Sequence, residues 1–207
     1  MSPKYGSGHS KYCYPDTDIL INKLTLKNEE LLSEAELLFT TQRLLELQAS
    51  PISADYNLEH LIKIHYYLFQ DIYPFAGKTR DEDISKGNTL FAHWQYLDEN
   101  ASQLFRKLKA EGFLIGTNAE RFSLRSAFYM SELNILHPFR EGNGRVIREF
   151  IRCLAIESGY VLNWNVINKD SLLHASIRSV YDIEPSKSDR KLIIKRIVKR
   201  RRLLLLF

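Results

Sequence analysis

The 207-residue sequence predicts a mainly α domain, a helical bundle with one small β-hairpin. Three observations lead there. Five stretches repeat apolar residues at helical spacing, and a single region carries the turn chemistry of a hairpin. The composition, 44% hydrophobic and 26% charged, is that of an ordinary globular chain long enough to bury a substantial core.

Residues 1–18, rich in Gly, Ser, Tyr and Pro, read as an irregular arm, residues 19–189 as the folded domain and residues 190–207 as a basic tail. Within the domain, LSEAELLFTTQRLLELQ places Leu37, Leu38, Leu44, Leu45 and Leu47 at roughly helical spacing. NLEHLIKIHYYLFQDI repeats the pattern through Leu58, Leu61, Ile62, His65, Leu68, Phe69 and Ile72, and Pro51 with polar turn formers separates the two. In YPFAGKTRDEDISKGNTLFAHWQYL, the positions of Pro74, Gly77 and Gly87 exclude one continuous helix, while KGNT supplies a turn between two short β-permissive runs. Helical periodicity resumes in LDENASQLFRKLKAEGFL, AERFSLRSAFYMSELNIL and RVIREFIRCLAIESGY, the last stopped by Gly159. The tail sequence KLIIKRIVKRRRLLLLF alternates apolar and basic pairs and is expected to form an amphipathic helix, its Ile and Val face packed on the domain up to about Arg196 and a solvated basic end beyond it.

The net charge of +4 belongs to that tail: residues 190–207 hold eight Lys or Arg and no acid, leaving 21 basic against 25 acidic residues elsewhere, or −4. A nucleic-acid-binding groove spread over the domain is thereby disfavoured, and no direct nucleic-acid partner is expected. No apolar run has the roughly 18 to 20 residues that span a bilayer, and the first residues lack the apolar core of a signal peptide, so a cytoplasmic protein is expected. Cys13 and Cys153 are far apart and match no metal-binding spacing, which makes a disulfide framework or a zinc site a poor reading.

The chemistry concentrates in HPFREGNGR, residues 137–145. Gly142, Asn143 and Gly144 form a turn entering a helix near Arg145, where unpaired amides, the positive end of the macrodipole and close backbone approach make an anion cradle. Arg145, Arg148 and Arg152 follow at i, i+3 and i+7, and guanidinium forks suit phosphate oxygens, so a pyrophosphate or triphosphate is the expected anion. Glu141 beside such an anion suits a Mg²⁺ bridging phosphate oxygens. His137 is placed to take the proton of an attacking hydroxyl.

This stretch, HPFREGNGRVIR, resembles the signature of the Fic (filamentation induced by cAMP) family, H-x-F-x-[D/E]-G-N-G-R-x-x-R, with His137, Phe139, Glu141, Gly142, Asn143, Gly144, Arg145 and Arg148 at its defining positions. Upstream, FAGKTRDEDISKGNTLFA is similar to the family's segment leading into its target-positioning hairpin, or flap, here Ile84, Ser85, Lys86, Gly87, Asn88, Thr89, Leu90 and Phe91. The resemblance implies protein adenylylation: AMP passes from ATP to a Ser, Thr or Tyr hydroxyl of another protein and pyrophosphate is released. It implies that His137 is the base, that Glu141 holds Mg²⁺ between the α- and β-phosphates, and that Asn143 with the backbone at Gly142 and Gly144 holds those phosphates. Arg145 would meet the β-phosphate and Arg148 the γ-phosphate, with Phe139 a buried plug, while the flap adds the target segment as an edge strand.

The lack of an appended domain favours the toxin branch of that family, with a topoisomerase as the implied target, although relatives also include effectors secreted into host cells. Members are restrained by a helix of pattern [S/T]-x-x-x-E-[G/N] whose glutamate pairs with the second arginine, here Arg148. The nearest internal match, Thr25-Leu-Lys-Asn-Glu29, is followed by Glu30 instead of Gly or Asn, so a small separate antitoxin is expected to supply the glutamate. The alternatives are a relative using another nucleotide donor and a catalytically inert interaction module. Arg152 reads as a solvated helix residue, and His9, His60, His65, His93 and His174 read as structural.

Overall fold

The fold is that of a computed structural model, in which residues 10–53, 55–86, 89–164, 194 and 198–200 are described. Five long helices follow in order among them: α1 (Glu29–Ala49), α2 (Leu58–Phe69), α3 (Leu97–Ala110), α4 (Ala119–Leu136) and α5 (Asn143–Glu157). Three of them start alike. The side chains of Asn28, Asn57 and Asn118 accept the amides of Leu31, His60 and Arg121, each satisfying one of the unpaired donors of a first turn. Gly112 and Phe113, at φ 59° and 53°, end α3 earlier than its apolar pattern suggests and turn the chain toward α4.

α5 is the central helix. Val146, Ile147, Phe150, Ile151, Leu154 and Ala155 are buried, as are Glu149 and Cys153, and the helix packs on α2 on one side and α4 on another. The hairpin consists of β1 (Ser85–Lys86) and β2 (Thr89–Leu90), antiparallel with Ser85 opposite Leu90 and Lys86 opposite Thr89. A second antiparallel pair joins β3 (Tyr160–Leu162) to β4 (Val198–Arg200).

Two expectations are corrected. Val198–Arg200 is a strand against β3, where a solvated basic end beyond a tail helix was expected; apart from these three residues and Ile194, fully buried as expected of the packed face, the tail lies outside the described residues. On α1 the buried stripe is Leu32, Glu36, Thr40 and Leu47, whereas Leu37, Leu38 and Leu45 face outward at 67%, 68% and 61% exposure. The helix is where the leucines placed it, but its inward face is partly polar, because that face looks onto the site.

Residues 10–13 lie against the segment that leads into the hairpin. Ser10 Oγ donates to Glu82 Oε1 (2.6 Å), Tyr12 OH donates to Asp81 Oδ1 (2.6 Å), and the Tyr12 ring meets the Phe75 ring edge-on. Cys13 and Leu20 close this stretch with a β-bridge.

Candidate active site

α4 ends on His137, whose backbone is left-handed (φ 46°, ψ 60°) and whose amide still donates to Leu133 O at 3.0 Å. The sharp reversal turns the chain from the end of α4 into the start of α5, and every residue from 136 to 143 is buried. Such a conformation costs a non-glycine residue roughly 1–2 kcal/mol. It aims the imidazole at the flap, where the Phe91 ring stacks on it with centroids 3.7 Å apart.

The imidazole's state follows from its neighbours. Nδ1 lies 3.1 Å from Asn134 O, an oxygen that can only accept, so the proton sits on Nδ1 and Nε2 keeps the basic lone pair. Burial pushes the His137 pKa down to about 4, only partly opposed by the Asn134 carbonyl and by Glu141, and the ring is neutral at physiological pH.

The loop between the helices is fixed by its own members. Asn143 Oδ1 accepts the Phe139 amide (2.9 Å) and its Nδ2 donates to Phe139 O (2.6 Å), so the Asn143 side chain braces the turn that carries Glu141 and Gly142. The Phe139 ring lies flat on His65, centroids 4.0 Å apart and 3° from parallel. His65 joins two loops: Nδ1 accepts the Gly77 amide (2.8 Å) and Nε2 donates to Glu141 O (3.2 Å), with burial lowering its pKa to about 3. Gly142, at φ 79°, has no alternative, since a Cβ there would stand 2.1 Å from Phe69 Cζ.

Glu141 Oε1 accepts the Gly142 amide at 2.9 Å and lies 3.8 Å from Arg145 Nη2. Gly142 supplies no capping side chain to α5; its carbonyl accepts the Arg145 amide (3.0 Å), which leaves the amides of Asn143 and the exposed Gly144 for another acceptor. Arg145 is held from α1: Nη1 donates to Thr40 Oγ1 (3.0 Å), Nη2 pairs with Glu36 Oε1, and the guanidinium lies over the Phe69 ring. Tyr73 OH in turn donates to Glu36 Oε2. Arg148 is the contrast. Burial and the neighbouring Arg145 both lower its pKa, and no carboxylate among the described residues offsets either effect.

The structure therefore places His137, Glu141, Gly142, Asn143, Gly144, Arg145 and Arg148 along the turn from α4 into the first two turns of α5, with Phe91 stacked on His137. Ile84 is buried, Lys86 and Leu90 are exposed, and Ser85 and Thr89 are half-buried; Gly87 and Asn88 lie outside the described residues. Arg152 is no solvated residue: it pairs with Glu149 (2.7 Å) and donates to Leu47 O near the end of α1 (3.0 Å). Glu36, Thr40, His65, Tyr73 and Arg80 were not singled out from the sequence as parts of the site, and only the polar interruptions of α1's apolar stripe could have signalled the first two.

Comparison with known proteins agrees with this architecture. The sequence profile of the Fic/DOC family matches residues 55–155. The chain is 43% identical to protein adenylyltransferase VbhT of Bartonella schoenbuchensis over 178 residues, 86% of this chain but 37% of VbhT. It is 39% identical to the Escherichia coli K12 protein named Probable protein adenylyltransferase Fic, over 83% of this chain and 84% of that one. Among solved structures, the N-terminal Fic domain of a VirB-translocated Bep effector of Bartonella quintana, with bound ADP, superposes at TM-score 0.85 and 26% identity over 95% of this chain and 98% of that one. A mainly helical bundle with a hairpin beside the HPFREGNGR turn, and relatives named as nucleotidyltransferases of protein substrates, make this chain a member of the Fic/DOC family.

Proposed function

We propose that the chain is a protein adenylyltransferase that moves AMP from ATP onto a Ser, Thr or Tyr hydroxyl of a target protein. The observation that carries this reading is Arg148, a half-buried guanidinium set beside a second guanidinium, at a helix start that has no side-chain cap. Two adjacent guanidinium groups at a helix start favour an anion bearing several oxygens, and a triphosphate supplies them. The bound ADP in the Bartonella quintana domain, over nearly the same length of chain, supports a nucleotide as that anion.

The target's hydroxyl oxygen bonds to the α-phosphorus of ATP while the bond from that phosphorus to the bridging oxygen breaks. Pyrophosphate leaves with those electrons, and the hydroxyl proton passes to His137 Nε2. Arg145 and Arg148 neutralise the phosphates, and the amides of α5's first turn bind the charge that grows on the leaving group. Among the described residues no group of three or more His, Cys, Asp or Glu is arranged to hold a metal ion, and a Mg²⁺ held here would take Glu141 as its protein ligand, with phosphate oxygens and water supplying the rest. When bound, that ion would neutralise phosphate charge.

Incubation with α-labelled and, separately, γ-labelled ATP and a bacterial lysate tests this: label should appear on protein from the α position only. In His137→Ala the transfer should fall by ~10²- to 10⁴-fold with nucleotide affinity kept within a few fold, because a different set of groups binds the phosphates. Transfer at near wild-type rate would remove His137 from its role.

Restraint in trans by a small antitoxin is part of this reading. Glu29 stands exposed at the start of α1, about 10 Å of helix rise from Glu36, and Glu36 pairs with Arg145 instead of Arg148. A small protein carrying the inhibitory glutamate should co-purify with the chain and silence it, and a topoisomerase is the target to test first.

A further inference from the structure

Arg80 lies outside the signature and outside the hairpin, yet its side chain is among the most completely buried in the molecule, at 2% exposure. Its Nε donates to His137 O (2.8 Å) and its Nη2 to Leu136 O (3.3 Å), two carbonyls that the end of α4 leaves without helical partners. The same Nη2 donates to Ala92 O, just after β2, and Nη1 donates to Glu82 O (2.8 Å), just before β1. Its backbone amide donates to Pro138 O (2.8 Å). One guanidinium thus binds both feet of the hairpin and the carbonyls of His137 and the residue before it, while the backbone amide of the same arginine binds the residue after it. The closest carboxylate, Asp83 at 3.8 Å, is itself half exposed and also accepts the Trp94 amide (2.9 Å). Burial lowers the Arg80 pKa, so the site charges the fold for this residue, and the four carbonyls with the negative end of α4 are what hold it.

We propose that Arg80 is a positioning residue that fixes the hairpin, and with it the acceptor segment of the target, at a set distance from the His137 imidazole. A planar fork suits the task because its N–H groups diverge at fixed angles, so that movement of either hairpin foot breaks a bond to the same rigid group. Lysine, with one flexible nitrogen, cannot span four carbonyls. Water needs no hairpin to reach the α-phosphorus, whereas a protein hydroxyl must be presented by it. Loosening the joint therefore changes the partition of AMP between protein and water, which general destabilisation would not.

The proposal rests on the adenylyl-transfer reading above, and the test separates the two. Wild-type chain and Arg80→Lys are incubated with α-labelled ATP and a bacterial lysate, and label on protein is compared with label released as AMP. Arg80→Lys should bind ATP within about 3-fold of wild type, lose ~10²-fold in transfer to protein, the scale of a misplacement of about 1 Å, and retain hydrolysis within about 10-fold. An unchanged ratio of protein-bound to free AMP overturns the proposal. Should Arg80→Lys lack a cooperative thermal transition, Asp83→Ala loosens the exposed side of the same joint. It should shift the ratio toward free AMP by about 3-fold, and no shift again overturns the proposal. A wild-type chain that transfers no α-label overturns the adenylyl-transfer reading and this one with it; transfer by wild type with a ratio untouched in the variants overturns the Arg80 assignment alone.

Discussion

Acid should unfold this protein at an unusually mild pH, through three histidines. His60, His65 and His137 are all buried, and burial lowers their pKa values to about 4, about 3 and about 4, from 6.5 for a free side chain. The unfolded chain takes up protons at these sites below pH 6.5 while the folded chain refuses them until pH 4 or below, so stability is complete above 6.5 and falls as the pH drops through that window. At pH 5 each histidine removes about 2 kcal/mol, and the three together remove about 6 kcal/mol, comparable with the whole stability of a small domain. Asp71, held low by Arg43, and Glu111, held low by Arg125 and Tyr129 against its burial, contribute only nearer the ordinary carboxylate range. Glu132, held high by burial, gains its proton earlier in the folded chain and opposes the loss, so the His60→Leu comparison is what isolates a histidine. Urea denaturation at pH 8, 6 and 5 measures the loss. His60→Leu provides the internal control, because His60 touches no site residue and neither ring nitrogen has a hydrogen-bond partner. That variant should be no less stable than wild type at pH 8 and should lose only about two-thirds as much on acidification. A total loss below about 2 kcal/mol between pH 8 and pH 5 would refute the reasoning, since it would mean that the interior accepts these protons.

Two further predictions concern the phosphate side of the site. Gly142→Ala combines a left-handed backbone with a Cβ 2.1 Å from the fully buried Phe69 ring, and should cost about 2–5 kcal/mol in chemical denaturation. Glu36→Ala removes the α1 anchor of Arg145 and should weaken ATP binding about 10-fold, as measured by calorimetry, with the pyrophosphate-releasing step less affected; Glu36→Gln, which keeps an acceptor, should restore most of the loss.

Much of the fold was legible because it is built from local signals. Helical apolar spacing and Gly and Pro punctuation located all five helices to within a few residues, and KGNT marked the hairpin. The HPFREGNGR turn was legible for the same reason, its chemistry being packed into consecutive residues. What escaped was whatever depends on distance across the fold. Glu36 and Thr40 reach Arg145 over more than a hundred residues, and among the leucines of α1 they look like interruptions. His65 reads as one more member of an apolar helical stripe, and only the fold shows that it ties Gly77 to Glu141. Arg80, in a run of charged residues, has the sequence surroundings of a solvent-facing loop, whereas its partners are backbone carbonyls, which leave no mark in a sequence. The strand at Val198–Arg200 was missed because β-pairing depends on its partner at Tyr160–Leu162, far back in the chain.

The left-handed backbone at His137 sets folding and chemistry against each other at one residue. A helix reversal of this geometry is made most cheaply by glycine, and a buried neutral imidazole is a poor occupant of an apolar interior. Selection for stability alone would therefore erase the proposed base at its first opportunity, and random mutants ranked by melting temperature should place substitutions at position 137 among the survivors. A degenerate copy of this gene, released from its task, would be expected to lose its reactivity before its shape.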